Sequence, residues 1–182
     1  MKGPETSGNG QVPVLECMGV ERRFGGLVAV SGVDLRLEKG EIFGLVGPNG
    51  SGKTTLTNAI TGFYPPQKGK ILLGGKDITG TAPHKVAGMG VARTFQNLAL
   101  FNGMSVLDNI LLGRHIHMNP GVIRTALYWW LARPEEIANR EVVEEVIDFL
   151  QLESIRHELV DGIPIGLKKR VELARALVAE PH

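Results

Sequence analysis

The sequence has little of several features that would mark a specialised class of protein. Cys17 is the only cysteine, which excludes an internal disulfide bond and any site built from several cysteines, and fits a reducing compartment. Twenty basic and nineteen acidic residues leave a net charge of +1, so no attraction to nucleic acid is expected. No run of 18 apolar residues occurs, which argues against a membrane-spanning helix. The first eleven residues also lack the apolar stretch of a signal peptide.

Glycine, in contrast, is abundant. The chain of 182 residues has 24 glycines, about 13% against a usual share near 7%. The length suits one domain of ordinary size, and the remaining composition is close to globular averages. Residues 1–12 are rich in Gly, Pro, Ser and Asn and are predicted to be a disordered tail.

The part of the chain between residues 12 and 95 has the patterns of β-strands. Residues 33–38 alternate apolar and polar side chains, as in a strand with one buried face, and residues 70–73 predict a hairpin strand. Residues 42–46 are apolar throughout, which predicts a strand covered on both faces in a parallel sheet. Residues 91–95 are a further short strand candidate. Cys17 is expected to be a buried strand residue.

Helical periodicity follows the strands. One short helix is predicted over residues 53–61, closed by Gly62. Ser105, with Asp108 three residues later, resembles a capping box that opens a helix over 106–115. Further helices are predicted over 122–131, over 134–152 and from Gly166 onward, where apolar residues recur at helical spacing.

The glycine-rich segment before the helix 53–61 carries a complete phosphate-binding motif. It fits G-x-x-x-x-G-K-[ST] with Gly47, Pro48, Asn49, Gly50, Ser51, Gly52, Lys53 and Thr54. Backbone N–H groups of residues 50–54 can hold phosphate oxygens at the positive end of the helix. Lys53 is expected between the β- and γ-phosphates, and the Thr54 hydroxyl is expected to bind Mg²⁺. The motif predicts a nucleoside triphosphate site, and the alternative is an ordinary glycine-rich turn.

Three further features indicate which class of nucleotide-binding protein the sequence belongs to. Phe24 could stack on a base, although such a residue is more often part of the core. Gln96 follows a strand candidate, where its side-chain carbonyl could reach the metal or the attacking water. Gly166 stands at the start of an amphipathic helix, and the N-terminus of this helix is a second place where an anion could bind. A glycine at such a position more often only forms a turn.

In this order, these motifs resemble the ATP-binding subunits of ABC transporters. The segments 22–30, 91–96 and 164–166 are similar to the subgroup that serves importers of branched-chain amino acids. The resemblance covers about residues 13–182. It implies an α/β P-loop ATPase fold with an antiparallel β subdomain, a helical subdomain and an incomplete core sheet. It also implies three parts: a nucleotide-binding part over 13–95, the Q-loop and helical subdomain over 96–165, and a signature helix over 166–182.

The resemblance also implies roles for particular residues. Phe24 matches the adenine-stacking aromatic, and the Walker A loop extends from Gly47 to Thr55. Gln96 matches the Q-loop glutamine near Mg²⁺, so Thr54 and Gln96 are the implied metal ligands. The signature that caps ATP held by the other subunit matches Pro164, Ile165, Gly166 and Leu167. Pro164 replaces the usual serine and Leu167 the usual glutamine, so the backbone N–H groups around Gly166 are expected to make the contact.

The sequence ends at Pro181 and His182, where the family pattern continues with a strand that carries a Walker B aspartate and a catalytic glutamate, and then a switch histidine. We therefore expect no catalytic carboxylate within residues 1–182. Glu172 and Glu180 are interpreted as the solvated face of the last helix. The expectation is a fragment that binds ATP and Mg²⁺ without turning ATP over.

Several residues allow more than one interpretation. His115 and His117 point to different helix faces and do not favour a metal site. Tyr128, Trp129 and Trp130 are interpreted as packing, with a contact surface for a membrane-embedded partner as the alternative. Lys168, Lys169 and Arg170 are interpreted as a solvated face.

The leading functional hypothesis is the ATPase of an importer, at the cytoplasmic face of the plasma membrane and peripheral to it. Its expected partners are a second ATP-binding subunit, in a homo- or heterodimer, and membrane-embedded permease subunits, with no nucleic acid. One alternative is a soluble ABC-type ATPase that is not tied to transport. Another is a nucleotide-binding module without turnover.

Overall fold

The structure, a computed structural model, describes residues 12–95, 99–114 and 133–181. The chain divides into two compact units, Met1–Val86 and Ala87–His182. The division into parts at residues 95 and 165 stays a prediction. Several predicted features lie outside the described residues, namely the tail before Val12, Gln96, His115, His117 and the helix 122–131 with its aromatic residues Tyr128, Trp129 and Trp130.

An antiparallel sheet forms the frame of the first unit. Its strands are β1 (Leu15–Phe24), β2 (Leu27–Leu37), β3 (Lys68–Leu73) and β4 (Lys76–Asp77), in the order β2-β1-β3-β4. Phe24 and Leu27 face each other across a two-residue turn, where Gly25 has a φ of 57° that a glycine adopts without strain. The predicted strands 33–38 and 70–73 are thus confirmed, and residues 33–37 alternate between half-buried and exposed positions.

The sheet buries Cys17, as predicted. Cys17 lies between Leu35 of β2 and Ile71 of β3 and is 1% exposed. Burial, with a smaller contribution from the charge of Glu16, raises the pKa of the Cys17 thiol from 9.0 to about 11. The thiol is therefore a small apolar core group at neutral pH.

The prediction of a buried strand over residues 42–46 is wrong for the described chain. These residues have no regular secondary structure, and Ile42 and Val46 are 100% and 94% exposed. In the described residues, no backbone hydrogen bond joins this segment to a neighbouring strand. A strand needs a neighbouring strand to satisfy its N–H and C=O groups. The prediction failed because it rested on apolar composition, which does not show whether such a neighbour is present.

Two helices complete the first unit. Helix α1 (Lys53–Ile60) follows the phosphate-binding motif, as predicted, and buries Leu56 and Ala59. Gly62, with a φ of 79°, follows its end, and a Cβ there would collide with the carbonyl oxygen of Thr81. The second helix is α2 (Pro83–Ala87).

Helices make up the regular structure of the second unit in the described residues. They are α3 (Val106–Arg114), α4 (Arg133–Phe149), a 3₁₀ turn (Glu153–Ile155) and α5 (Ile165–Leu177). They confirm three of the predicted helices and surround a core of Val106, Ile110, Val143, Ile147, Leu152, Val160, Ile163, Val171, Ala174 and Val178. No helix in the described ranges has the length and apolar character needed to cross a membrane.

Ser105 and Asp108, the two residues of the predicted capping box, form the cap that opens α3, and the carboxylate of Asp108 accepts from the Ser105 hydroxyl in place of the Ser105 N–H. The Asp108 N–H donates to Ser105 Oγ at 3.1 Å, and the Ser105 hydroxyl donates to Asp108 Oδ2 at 2.6 Å. The N–H groups of Val106 and Leu107 have no acceptor within the helix. They donate to the carbonyl oxygens of Glu158 and Arg156, respectively, at 2.9 Å each. The first turn of α3 is therefore satisfied by its own cap and by the loop after the 3₁₀ turn.

The strand predicted over residues 91–95 is not formed. Residues 91–95 have no regular structure, and the backbone N–H of Phe95 donates to a side chain of α5 instead of a neighbouring strand. A single side-chain acceptor is enough to satisfy this N–H, so strand pairing is not required there.

Candidate functional site

The phosphate-binding motif lies in the loop that leads into α1. Gly50 and Gly52 have φ values of 81° and 90°, in the left-handed region where a side chain is strained. Gly52 is the residue before α1, and a Cβ there would collide with the carbonyl oxygen of Ala29 in β2. The glycines of the motif therefore allow the loop to turn sharply and to lie directly on the sheet.

The side chain of Lys53 folds back over this loop. Its Nζ donates to the carbonyl oxygens of Gly47 at 2.6 Å and Pro48 at 2.7 Å, and lies 3.5 Å from Ser51 Oγ. These contacts hold the ammonium over the loop, at the place where the motif predicts phosphate oxygens. An incoming anion would exchange neutral carbonyl partners for charged oxygens, which make stronger hydrogen bonds.

The start of α1 presents unpaired backbone donors. In the described residues, the N–H groups of Lys53, Thr54 and Thr55 have no acceptor, and no side chain caps the helix. No acidic residue stands in the first turn. Free donors and the positive end of the helix dipole together make this terminus suited to a phosphate. The exposed side chain of Thr54 lies at the same terminus.

Phe24 lies at the tip of the β1–β2 hairpin, where the side chains of Tyr64 and Arg22 contact part of its ring. Its ring is 40% exposed and meets the ring of Tyr64 edge-on, with centroids 5.4 Å apart. The guanidinium of Arg22 lies 4.9 Å from the Phe24 centroid and 5.8 Å from that of Tyr64. Phe24 therefore has an exposed surface, and its other contacts hold it in place; its stacking on a base stays a prediction.

Arg22 is held by Pro65, whose carbonyl oxygen accepts from Nη1 at 2.7 Å. Its Nε is buried and has no hydrogen-bond partner within the described residues. Sequence reasoning gave no role to Arg22 or Tyr64. Arg22 lies in the segment 22–30 that carries the family resemblance, but its contact with the Phe24 ring is not visible in the sequence, and Tyr64 reaches Phe24 from a loop 40 residues later in the chain.

The proposed signature residues lie at the start of α5. Pro164 is the residue before the helix, and its carbonyl oxygen accepts from the N–H groups of Leu167 and Lys168 at 3.0 Å each. Pro164, Ile165 and Gly166 are exposed, and Leu167 is half-buried. The helix begins where the sequence predicts, and it leaves its first N–H groups directed away from its own carbonyls.

The interpretation of Glu172 as part of a solvated face is wrong. Glu172 is 6% exposed, and its Oε1 accepts from the Phe95 N–H at 2.8 Å. It follows the buried Val171 on α5, and the segment before residue 96 covers it. The sequence gives no signal for this contact, because the two residues are 77 positions apart.

Glu180 is exposed, as interpreted, but it lies beyond the end of α5 and not on the helix, and the solvated-face interpretation did not include its ion pair. It pairs with the buried guanidinium of Arg114 at 2.5 Å. Arg114 also donates to Asn139 Oδ1 at 2.7 Å and to the Val178 carbonyl at 2.9 Å. This arginine joins α3, α4 and the chain after α5, and it was not singled out from the sequence.

The structure brings the loop residues 47–55 together at one helix terminus. Gln96, the second implied metal ligand, lies outside the described residues. Within the described ranges, no group of three or more His, Cys, Asp or Glu side chains could hold a metal ion.

Comparisons with known proteins agree with these motifs. A family model described as ABC transporter matches residues 30–182. The high-affinity branched-chain amino acid transport ATP-binding protein BraF of Pseudomonas aeruginosa is 37% identical over 170 residues, which are 93% of this chain and 67% of that protein. The high-affinity branched-chain amino acid transport ATP-binding protein LivG of Escherichia coli is 36% identical over 170 residues, which are again 93% of this chain and 67% of that protein.

Solved structures show the same relationship. The ADP conformation of MJ1267, an ATP-binding cassette of an ABC transporter, superposes with a TM-score of 0.77 at 33% identity, over 93% of this chain and 66% of that one. This chain therefore spans about two thirds of the length of the relatives that it matches.

Proposed function

The chain belongs to the ABC transporter family, and from this premise we propose that it is the ATP-binding part of a subunit that powers an importer. The predicted α/β P-loop ATPase fold is the fold of its structural neighbours. The observation that carries the proposal is the phosphate cradle formed by the glycines of residues 47–52, the Lys53 ammonium and the open start of α1.

The cradle fits the phosphates of ATP. A Cβ at Gly52 would push the loop off β2, and a Cβ at Gly47 would come within 2.7 Å of Ser51 Oγ. Both glycines therefore keep the backbone compact, with the N–H groups of Lys53, Thr54 and Thr55 open to an anion. The cradle has no carboxylate in the first turn of α1 that would repel a phosphate.

We assign the base of the nucleotide to the exposed surface of Phe24. Tyr64 and Arg22 restrain the ring, so little side-chain entropy remains to be lost when a base stacks on it. Every base can stack on an aromatic ring, so this contact adds affinity for the nucleoside but does not select strictly for one base.

Mg²⁺ would be held by Thr54 and Gln96. A hydroxyl and an amide carbonyl are oxygen ligands of the kind that Mg²⁺ prefers. When bound, the metal would neutralise phosphate charge. Thr54 stands exposed at the start of α1, beside the open N–H groups.

The relatives suggest the transported substrate. BraF and LivG are named as ATP-binding proteins of branched-chain amino acid transport. We accordingly propose that this chain serves an importer of branched-chain amino acids, peripheral to the cytoplasmic face of the membrane. Its partners would be permease subunits and a second ATP-binding subunit, whose ATP would meet Pro164, Ile165, Gly166 and Leu167.

A titration with three nucleotides tests the proposal. Binding of ATP, ADP and AMP to the chain is measured by calorimetry in the presence of Mg²⁺. Each charge-assisted phosphate contact that is lost weakens binding by roughly ten- to a hundredfold, so AMP should bind far more weakly than ATP. Equal affinity for AMP and ATP would contradict the phosphate cradle and leave the base as the main contact.

A further inference from the structure

The side chain of Gln67 joins the loop after α1 to the tip of the β1–β2 hairpin. Backbone pairing between β1 and β3 ends with Glu21 opposite Lys68. Gln67 then continues this pairing with its side chain, since Oε1 accepts from the Arg23 N–H at 2.6 Å and Nε2 donates to the Arg23 carbonyl oxygen at 3.3 Å. The amide of Gln67 thus bonds both backbone groups of the residue before Phe24, as a residue of a neighbouring strand would.

Arg22 makes a second connection between the hairpin and the same loop. Its Nη1 donates to the carbonyl oxygen of Pro65 at 2.7 Å. Its guanidinium lies 4.9 Å from the centroid of the Phe24 ring and 5.8 Å from that of the Tyr64 ring, and a cation is attracted to the face of an aromatic ring. The contacts of Arg22 and Gln67, which we term the hairpin clasp, therefore tie Phe24 to residues 64–67.

The position of the Arg22 guanidinium is not explained by packing alone. Its Nε is buried and has no hydrogen-bond partner within the described residues. A buried donor without an acceptor lowers stability, so an apolar side chain of similar length would fill this space at least as well. The favourable contacts of the guanidinium are instead those with the two aromatic rings and the Pro65 carbonyl oxygen.

The loop that carries Tyr64 starts from α1, the helix whose first turn forms part of the phosphate cradle. The Tyr64 N–H donates to the carbonyl oxygen of Asn58 in α1 at 3.1 Å. Gly62 fixes the end of the helix, because a Cβ there would collide with the carbonyl oxygen of Thr81. All of these residues belong to the first compact unit. The hairpin clasp and α1 together thus link the position of the Phe24 ring to that of the cradle.

We propose that Arg22 and Gln67 are positioning residues, which hold the Phe24 ring at a fixed spacing from the phosphate cradle so that one nucleotide reaches both. The proposal rests on the proposed function, in which the ring stacks on the base. The base and the phosphates of a nucleotide are joined covalently. Their two contacts therefore combine in affinity only when the protein presents them at a matching spacing.

The test measures how much the nucleoside adds to binding, as the ratio of the affinities for ATP and for inorganic tripolyphosphate, both with Mg²⁺. Phe24→Ala should lower this ratio by roughly five- to 150-fold, the effect of one base stacked on an aromatic ring. Arg22→Met should lower it by roughly two- to fivefold, the effect of one exposed cation–π contact. Gln67→Met, which removes two hydrogen bonds, should lower it by roughly two- to tenfold.

Further variants separate positioning from general damage. The double variant Arg22→Met, Phe24→Ala should lose no more than Phe24→Ala alone, because Arg22 acts through Phe24. Arg22→Lys keeps a cation and a donor for the Pro65 carbonyl oxygen, and it should retain most of the ratio. Arg36→Met, at the far end of the β1–β2 pair opposite Glu16, should leave the ratio unchanged.

Three results overturn the hairpin clasp: an unchanged ratio in a folded Arg22→Met or Gln67→Met chain, losses that add in the double variant, or an equal loss in Arg22→Lys and Arg22→Met. If one of the two methionine variants does not fold, the other provides the same test.

Two more variants distinguish failure of the hairpin clasp from failure of the proposed function. Lys53→Ala should weaken ATP and tripolyphosphate alike. If it does, and Phe24→Ala lowers the ratio while Arg22→Met and Gln67→Met do not, only the clasp is wrong. If Phe24→Ala leaves the ratio unchanged, the assignment of the base fails, and the clasp with it. If Lys53→Ala binds ATP as well as the original chain, the proposed phosphate cradle fails, and the clasp loses its role.

Discussion

At the scale of single residues, we propose that Phe24, a side chain outside any strict motif, contacts the base of the nucleotide. It lies at the tip of a hairpin, and its position depends on Tyr64 and Arg22. The family resemblance singles out Phe24 from the sequence. Its two supporting residues could not be predicted, because they meet it only through the folding of β1 and of the loop after α1.

Phe24→Ala should weaken ATP and ADP to a similar extent, because we propose that the ring contacts the base, which both nucleotides share, and not the γ-phosphate. The expected loss is about 1–3 kcal/mol of binding free energy for each nucleotide. Titration of both nucleotides into the variant measures it, with Phe149→Ala, at a ring that is 76% exposed, as the control. A loss confined to ATP would assign Phe24 to the γ-phosphate instead.

Cys17 gives a pH-dependent prediction. Its pKa is raised to about 11 in the folded chain, so the folded state holds the thiol proton more tightly than the unfolded state does. This contribution to stability is present below pH 9.0, the ordinary thiol pKa, and is lost as the pH rises through about 11. A thiol reagent at pH 8 should react with Cys17 only after denaturant is added. Rapid reaction with the native chain would contradict the burial.

At the scale of elements, the sequence predicted the structure best where short-range periodicity and capping coincide. Helices α1, α3 and α5 begin at or next to their predicted starts, because Gly52, Ser105 and Pro164 act locally. Residues 42–46 and 91–95 were mispredicted, because a strand exists only through its pairing with another segment. Glu172 was mispredicted for the related reason that a distant loop covers it.

Ser105→Ala tests the capping of α3. The substitution removes the acceptor of the Asp108 N–H, and such a loss costs about 1 kcal/mol of unfolding free energy. Chemical denaturation followed by circular dichroism measures the change. Ser154→Ala, at an exposed serine of the 3₁₀ turn, serves as the control and should change stability little. Equal effects of both substitutions would show that the cap does not stabilise the helix.

At the scale of the whole molecule, we predict that a polypeptide of these 182 residues releases no phosphate from ATP above background. Hydrolysis needs an oriented water and a complete metal shell in addition to held phosphates. In the described residues, the Lys53 ammonium contacts carbonyl and hydroxyl oxygens and no carboxylate, and the first turn of α1 has no acidic residue. Phosphate release is assayed with Mg²⁺-ATP beside Lys53→Ala, and steady release that this variant lacks would refute the prediction.

Binding of ATP by the loop before α1 depends, in our proposal, on Lys53, and the most direct measurement is the ATP affinity of Lys53→Ala. The ammonium lies 2.6 and 2.7 Å from two carbonyl oxygens of the loop. Its loss should weaken ATP binding by roughly ten- to a hundredfold, the effect of one charge-assisted contact. Lys39→Ala, at an exposed lysine in the turn after β2, should bind ATP like the original chain. Unchanged ATP affinity in a folded Lys53→Ala chain would contradict the account.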